Sequence, residues 1–195
     1  MIFPALVWFW YLRRERQSTW FLFFSVALVF LGGLGSTLFH AFRLSPVFLM
    51  MDVIPSAILT IAIAIYFWLK VLKKRWHILL VFIPVFTIRF LLFRSLPSHI
   101  GINVSYVFSG LLIFVPLLIE LYRSNFFKWV SVVMVLFSFG TAILFRQLDT
   151  HHWNYFPQGT HFLWHLFSAV GSYYMLDYLV SNTNFSRDKK AGTIQ

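Results

Sequence analysis

Apolar residues fall into seven long stretches along the chain, separated by short polar breaks. The stretches cover residues 1–12, 18–42, 47–69, 77–93, 104–121, 129–145 and 159–180. A helix needs roughly 17 to 25 apolar residues to cross a bilayer, so only the first stretch is too short. The pattern predicts an all-α, polytopic membrane helix bundle of seven transmembrane helices with a short first helix. Residues 1–182 are expected to form this domain, and residues 183–195 a polar cytoplasmic tail.

Composition supports a membrane protein and leaves little chain for anything else. Hydrophobic residues make up 59% of the 195 residues and charged residues 11%, whereas soluble domains are only about 45–50% apolar. Any function must therefore be carried by the helices themselves. The sequence has no cysteine, which excludes disulfides and thiolate metal ligands and leaves histidine and carboxylate as the strong ligands.

The basic residues indicate orientation rather than nucleic-acid binding. The formal net charge is +10, but the lysines and arginines cluster between the apolar stretches. Twelve of them lie in the first, third and fifth connections and the tail, against three in the other connections. By the positive-inside rule, the N-terminus is expected outside and the C-terminus in the cytoplasm.

Five polar residues are expected to meet at one depth near the outer face. Ser36 and His40 are four residues apart and share one helix face, as do His161 and His165. The second stretch runs outward, and the third and seventh run inward. Ser36, His40, His161, His165 and Asp52 therefore fall near the same end of their helices.

Three histidines at one depth suggest a metal ion. Catalytic zinc commonly takes three protein ligands and leaves a fourth position for water, which it activates near neutral pH. His40, His161 and His165 are the candidate ligands. Asp52 is expected to orient the water or take its proton, and the Ser36 hydroxyl to assist. Hydrolysis of a lipid that enters from the bilayer is the reaction class this arrangement favours.

Simpler interpretations exist for each of these residues. A histidine near a helix end often only hydrogen-bonds, and a serine in a span often bonds to its own helix or eases packing. Asp52 could link two helices by a hydrogen bond. His151 and His152 are expected in a loop as interfacial residues, with a lid or an adventitious metal site as the alternative.

Five further charged residues carry structural expectations. Glu120 and Asp177 lie toward the cytoplasmic ends and are expected to pair with nearby basic residues. Arg146 and Asp149, three apart at the outer end of the sixth stretch, are expected to pair with each other. Arg89 is expected to snorkel toward the membrane surface.

Four segments resemble the motifs of one known family. Residues Gly35–Ala41, Met51–Pro55, Gly159–His165 and Gly171–Tyr173 are similar to motifs of the alkaline ceramidases. That family belongs to the CREST group of seven-span membrane hydrolases. The resemblance covers the second, third and seventh stretches, in the order S-x-x-x-H, D, H-x-x-x-H.

The resemblance implies a zinc-dependent amidase that cleaves the acyl amide of a ceramide-like sphingolipid. It implies His40, His161 and His165 as zinc ligands, with Ser36 and Asp52 assisting the water. Better-known members carry an acidic, calcium-associated N-terminal segment, whereas this sequence starts at an apolar Met1. The resemblance therefore implies no calcium site in this chain. A bacterial inner membrane is the favoured location over the endoplasmic reticulum or Golgi.

Two other functions stay open at this point. One is a lipid receptor or sensor of the related progestin and adiponectin receptor or haemolysin type, with a structural zinc ion. The other is a transporter, which would need polar residues along a path through the bilayer. The polar residues here cluster on one side instead.

Overall fold

The computed structural model describes residues 1–14, 19–42, 45–149 and 159–190, and these ranges are helical apart from short turns. The all-α prediction is confirmed there. The helices are α1 (Ile2–Arg14), α2 (Trp20–Phe42), α3 (Pro46–Val71), α4 (His77–Ser95), α5 (Ser98–Arg123), α6 (Trp129–Leu148) and α7 (His161–Lys190). His151 and His152 lie outside the described residues.

Five of these helices are long and apolar enough to cross a membrane. Within the described ranges they are α2, α3, the part of α5 from Ile100 onward, α4 and α6. With 13 residues, α1 is too short, and α7 has 30 residues but polar groups such as Asp177 lower its hydropathy. The structure thus supports an integral multi-pass membrane protein with five candidate spans. Apolar spans are helical because lipid offers no hydrogen-bond partners to the backbone.

Three helices extend beyond their apolar stretches. The fifth helix, α5, begins at Ser98, before the stretch that starts at residue 104, and it includes Gly101. At the sixth stretch, α6 continues to Leu148 rather than ending near residue 145. The last helix also continues beyond the apolar stretch, to Lys190.

The chain divides into two compact units. Unit 1 comprises Met1–Ala57 and Phe127–Gln195, and unit 2 comprises Ile58–Phe126. In unit 1, α6 packs along α7, and α1 packs against both α2 and α7. Its core contains fully or nearly fully buried side chains from all four of these helices, namely Trp8, Leu12, Leu22, Val26, Val132, Val135, Leu176 and Tyr178.

Small residues on α2 bring two neighbouring segments close to its backbone. A Cβ added at Gly33 would lie 2.9 Å from the Ile2 amide nitrogen of α1. A Cβ added at Gly35 would lie 2.5 Å from the Asp52 amide nitrogen of α3 and closer still to Met51. Real Cβ atoms essentially never make such contacts, so α2 and α3 can approach this closely only with glycine at position 35.

A cluster of charged and polar side chains lies at the other end of unit 1. Lys128 lies 3.4 Å from an oxygen of Asp177, and the Ser131 hydroxyl donates a hydrogen bond to the same carboxylate. This confirms the expected pairing of Asp177 with a basic residue. The cluster links the start of α6 to α7.

Unit 2 contains the second part of α3 together with α4 and α5. Lys70 lies 3.5 Å from Glu120, which confirms the expected pairing of that carboxylate. The Arg89 guanidinium donates to the hydroxyl of Ser105 on α5, at 3.2 Å. Arg89 thus has a partner on the neighbouring helix, and the expectation that it snorkels toward the membrane surface stays a prediction.

Candidate metal centre

Three imidazoles converge at one end of unit 1. The Nε2 atom of His165 lies 3.1 Å from that of His40 and 3.1 Å from that of His161. The three candidate ligand atoms all lie within 4.8 Å of one another. The rings are 4.8 to 5.0 Å apart between centroids and tilted rather than stacked, as expected for rings that point at a common centre.

The helices explain this convergence. His161 and His165 are four residues apart at the start of α7 and so project from one face. His40 lies in the last turn of α2, which packs directly on α7. Because α2 and α7 meet with the end of one beside the start of the other, residues far apart in sequence share one site.

The spacing of the nitrogens fits a tetrahedral metal ion. Zinc lies about 2.0–2.1 Å from histidine nitrogens, so two ligands at a tetrahedral angle are about 3.3 Å apart. The 3.1 Å separations are close to that value. A single Nε2 atom carries either one N–H or one lone pair, so Nε2 of His165 cannot hydrogen-bond well to both of the other nitrogens, whereas one cation can bind all three.

A carboxylate and a hydroxyl accompany the histidines. The Ser36 hydroxyl donates a hydrogen bond to Asp52, and Asp52 lies within electrostatic range of both His40 and His161. Ser36 is 8% exposed, one turn before His40 on α2. The close approach of α2 and α3 at Gly35 is what places this hydroxyl beside the carboxylate.

A second carboxylate reaches the site from the end of α6. One oxygen of Asp149 accepts a hydrogen bond from the Thr160 backbone amide at 2.8 Å. The other lies 3.3 Å from Nδ1 of His161. The Thr160 hydroxyl donates to the Phe145 carbonyl at 2.7 Å, so the start of α7 is bonded to the last turn of α6 at several points.

An arginine lies at the margin of this cluster. The Arg146 guanidinium lies 5.1 Å from the centre of the Trp164 ring, a cation–π contact, and within electrostatic range of His165. Asp149 is held by Thr160 and His161, as described above. The predicted pairing of Arg146 with Asp149 stays a prediction.

All five predicted site residues, Ser36, His40, Asp52, His161 and His165, thus come together in unit 1. Their chemical roles stay predictions. Sequence reasoning missed the contact between Asp149 and His161. The available signal was its position, because the end of α6 lies at the same end of the bundle as the start of α7.

Comparison of the chain with protein-family models, with curated proteins and with solved structures gives no match. The functional argument therefore rests on the residues and their geometry.

Proposed function

We propose that this protein is a zinc-dependent intramembrane hydrolase that cleaves the amide bond of a ceramide-like sphingolipid. The observation that supports it most is the meeting of three histidine Nε2 atoms, from α2 and α7, beside a hydrogen-bonded Ser36–Asp52 pair. A purely structural polar cluster would not need the Nε2 atom of His165 to lie 3.1 Å from both of the other Nε2 atoms. A metal ion accounts for that arrangement.

Zinc is the metal that best fits the donors. The three ligand atoms are all imidazole nitrogens, and their spacing suits tetrahedral coordination with one position left over. When bound there, zinc would polarise a carbonyl oxygen and make water acidic enough to ionise near neutral pH.

The carboxylate and hydroxyl supply the proton handling that amide hydrolysis needs. Asp52 would orient the attacking water and accept its proton, then return a proton to the leaving nitrogen. The Ser36 hydroxyl, which donates its single hydrogen to Asp52, would assist by holding that carboxylate in place. In the overall reaction water adds across the amide C–N bond, giving a carboxylic acid and an amine.

A lipid substrate follows from the position of the site. The histidines sit at the ends of helices whose outer surfaces are apolar, so a substrate would arrive through the bilayer with its polar linkage near the headgroup level. The resemblance of residues 35–41, 51–55 and 159–165 to the alkaline ceramidases is what makes a sphingolipid amide the favoured linkage.

The membrane arrangement is part of the proposal. With α1 and α7 added to the five candidate spans, the chain crosses the membrane seven times. The excess of lysine and arginine in alternate connections puts the N-terminus outside and the C-terminus in the cytoplasm. The metal centre then lies near the outer face, and a bacterial inner membrane is the favoured location.

The test uses the purified full-length protein in detergent or nanodiscs. Zinc content is measured by elemental analysis, and release of sphingoid base from an N-acyl sphingoid lipid by mass spectrometry. We expect about one zinc per chain and measurable turnover in the wild type, and loss of both in His161→Ala. His77→Ala is the matched control, because His77 lies at the start of α4 outside the cluster.

Two results would contradict the proposal. If the wild type holds no zinc, the proposed metal centre does not exist. A wild type that holds zinc and binds the lipid without consuming it would instead indicate a receptor or sensor with a structural zinc ion.

A further inference from the structure

We propose that Asp149 is a positioning residue for the metal centre, which holds the His161 imidazole with its Nε2 lone pair facing His40 and His165. This inference rests on the proposed zinc site. It concerns the residue directly after α6, a helix that supplies none of the predicted ligands. Its basis is that one oxygen of Asp149 contacts the start of α7 and the other contacts the His161 ring.

Asp149 is positioned to contact His161 by local chain geometry. Gly159, just before the start of α7, has a φ of +72°, in the left-handed region that favours glycine. A Cβ there would lie 2.5 Å from an oxygen of Asp149. Glycine at position 159 therefore lets the carboxylate approach the backbone just before α7, where the Thr160 N–H donates a hydrogen bond to it at 2.8 Å.

Electrostatics keep this carboxylate at the helix end. The N-terminus of a helix carries partial positive charge and unpaired amide groups, which attract an anion. With one oxygen fixed by Thr160, the other lies 3.3 Å from Nδ1 of His161. An ionised carboxylate can only accept a hydrogen bond, so this contact favours the tautomer in which Nδ1 carries the proton.

That tautomer is the one a metal site requires. With the proton on Nδ1, the Nε2 lone pair of His161 is free to face Nε2 of His165, 3.1 Å away. Histidine ligands in metal sites usually donate their other N–H to a carboxylate or carbonyl. Mutation of such a partner commonly lowers metal affinity about 10- to 100-fold.

His161 needs such a tether more than an interior helix residue would. It is the first residue of α7, so no preceding helical turn restricts its side-chain rotamer. Without Asp149 the ring could rotate or exchange tautomers and present an N–H to the other two histidines. The Asp149 carboxylate thus both accepts a hydrogen bond at the start of α7 and orients the His161 ring.

The experiment compares Asp149→Asn with Asp149→Ala in the full-length protein. Asparagine keeps an oxygen that can accept the Thr160 amide, and so preserves the helix cap, but it loses the charge that favours the Nδ1 proton. Alanine removes both functions. Asp177→Asn is the matched control, because Asp177 also joins α6 to α7 but contacts Lys128 and Ser131 at the other end.

Two measurements are made on metal-free protein. The first is zinc affinity, by competition with a chelator of known strength. We expect the zinc dissociation constant to rise about 10- to 100-fold in both Asp149 variants and to stay unchanged in Asp177→Asn. The second is the tautomer of His161, by ¹⁵N nuclear magnetic resonance of labelled histidine, which should show the Nδ1 proton in the wild type and lose that preference in Asp149→Asn.

The outcomes separate this inference from the proposed function. If the wild type binds zinc and Asp149→Asn binds it equally well, Asp149 only caps the helix, and the inference is overturned while the hydrolase proposal stands. If the wild type binds no zinc, the hydrolase proposal fails, and the His161 tautomer still decides whether Asp149 orients the ring.

Discussion

Replacing Gly35 with alanine tests whether the spacing of α2 and α3 sets the position of Asp52. The new Cβ would lie 2.5 Å from the Asp52 amide nitrogen, whereas ordinary contacts begin at 3.4 Å. The obstacle is backbone, which cannot rotate away as a side chain can. The two helices must therefore separate by about 1 Å at this point, the shortfall from ordinary contact.

The movement is expected to fall mainly on α3. Its partner α2 is also packed against α1 and α7, so it is held on two further sides. Separation would stretch the Ser36–Asp52 hydrogen bond and carry the carboxylate away from the histidines. His40, His161 and His165 do not lie on α3, so the metal ligands should stay in place.

The expected losses of stability and of turnover can both be estimated. Overpacking of this kind costs about 1–3 kcal/mol, which exceeds the gain of about 0.5–1 kcal/mol from alanine over glycine in a helix. A displacement of about 1 Å at a reacting group can cost about 100-fold in rate. We therefore expect Gly35→Ala to be less stable to heat, to bind zinc normally and to hydrolyse lipid about 100-fold more slowly.

Gly140→Ala is the matched control. Gly140 lies within α6, and nothing described comes within 4 Å of the position a Cβ would take. This variant should keep full turnover and gain slightly in thermal stability. The reasoning is refuted if Gly35→Ala keeps wild-type turnover, or if its zinc affinity falls together with its turnover.

Two further predictions concern the carboxylate and the ligands. Asp52→Asn should keep its zinc and lose about 10²- to 10⁴-fold in turnover, because the amide cannot accept a proton, and zinc analysis with lipid hydrolysis on the same sample checks this. Acid should release zinc, because protons compete with the metal for imidazole nitrogens, so occupancy measured by dialysis and elemental analysis should fall as the pH is lowered. Occupancy that does not change on acidification would count against an all-histidine site.

Sequence predicted the helices because the apolar stretches are long and the breaks between them are polar. Helix ends are predicted less well, because polar residues continue a helix. The residues before the fifth apolar stretch belong to α5, which begins directly after Pro97, and proline is well tolerated around a helix start. The last part of α7 is polar but remains helical, and Phe185 stacks on Phe127 at 4.5 Å between ring centres.

The sequence predicted those site residues whose relative positions depend on helix periodicity and on the alternating direction of successive helices. Four-residue spacing puts His161 and His165 on one face, and the antiparallel order of neighbouring helices brings His40 and Asp52 to the same end. For Asp149 and His161, alternation of direction indicates only that both lie at the same end of the bundle. Their contact also depends on the backbone turn at Gly159, which neither periodicity nor charge pattern specifies.

The separation of the three histidines along the chain has a consequence for biosynthesis. His40 and His165 are 125 residues apart, and two of the three histidines lie on α7. A nascent chain that has inserted α2 but not yet α7 therefore holds only one of the three imidazoles. If the proposed metal ion binds here, it can be held by all three only after translation has passed α7.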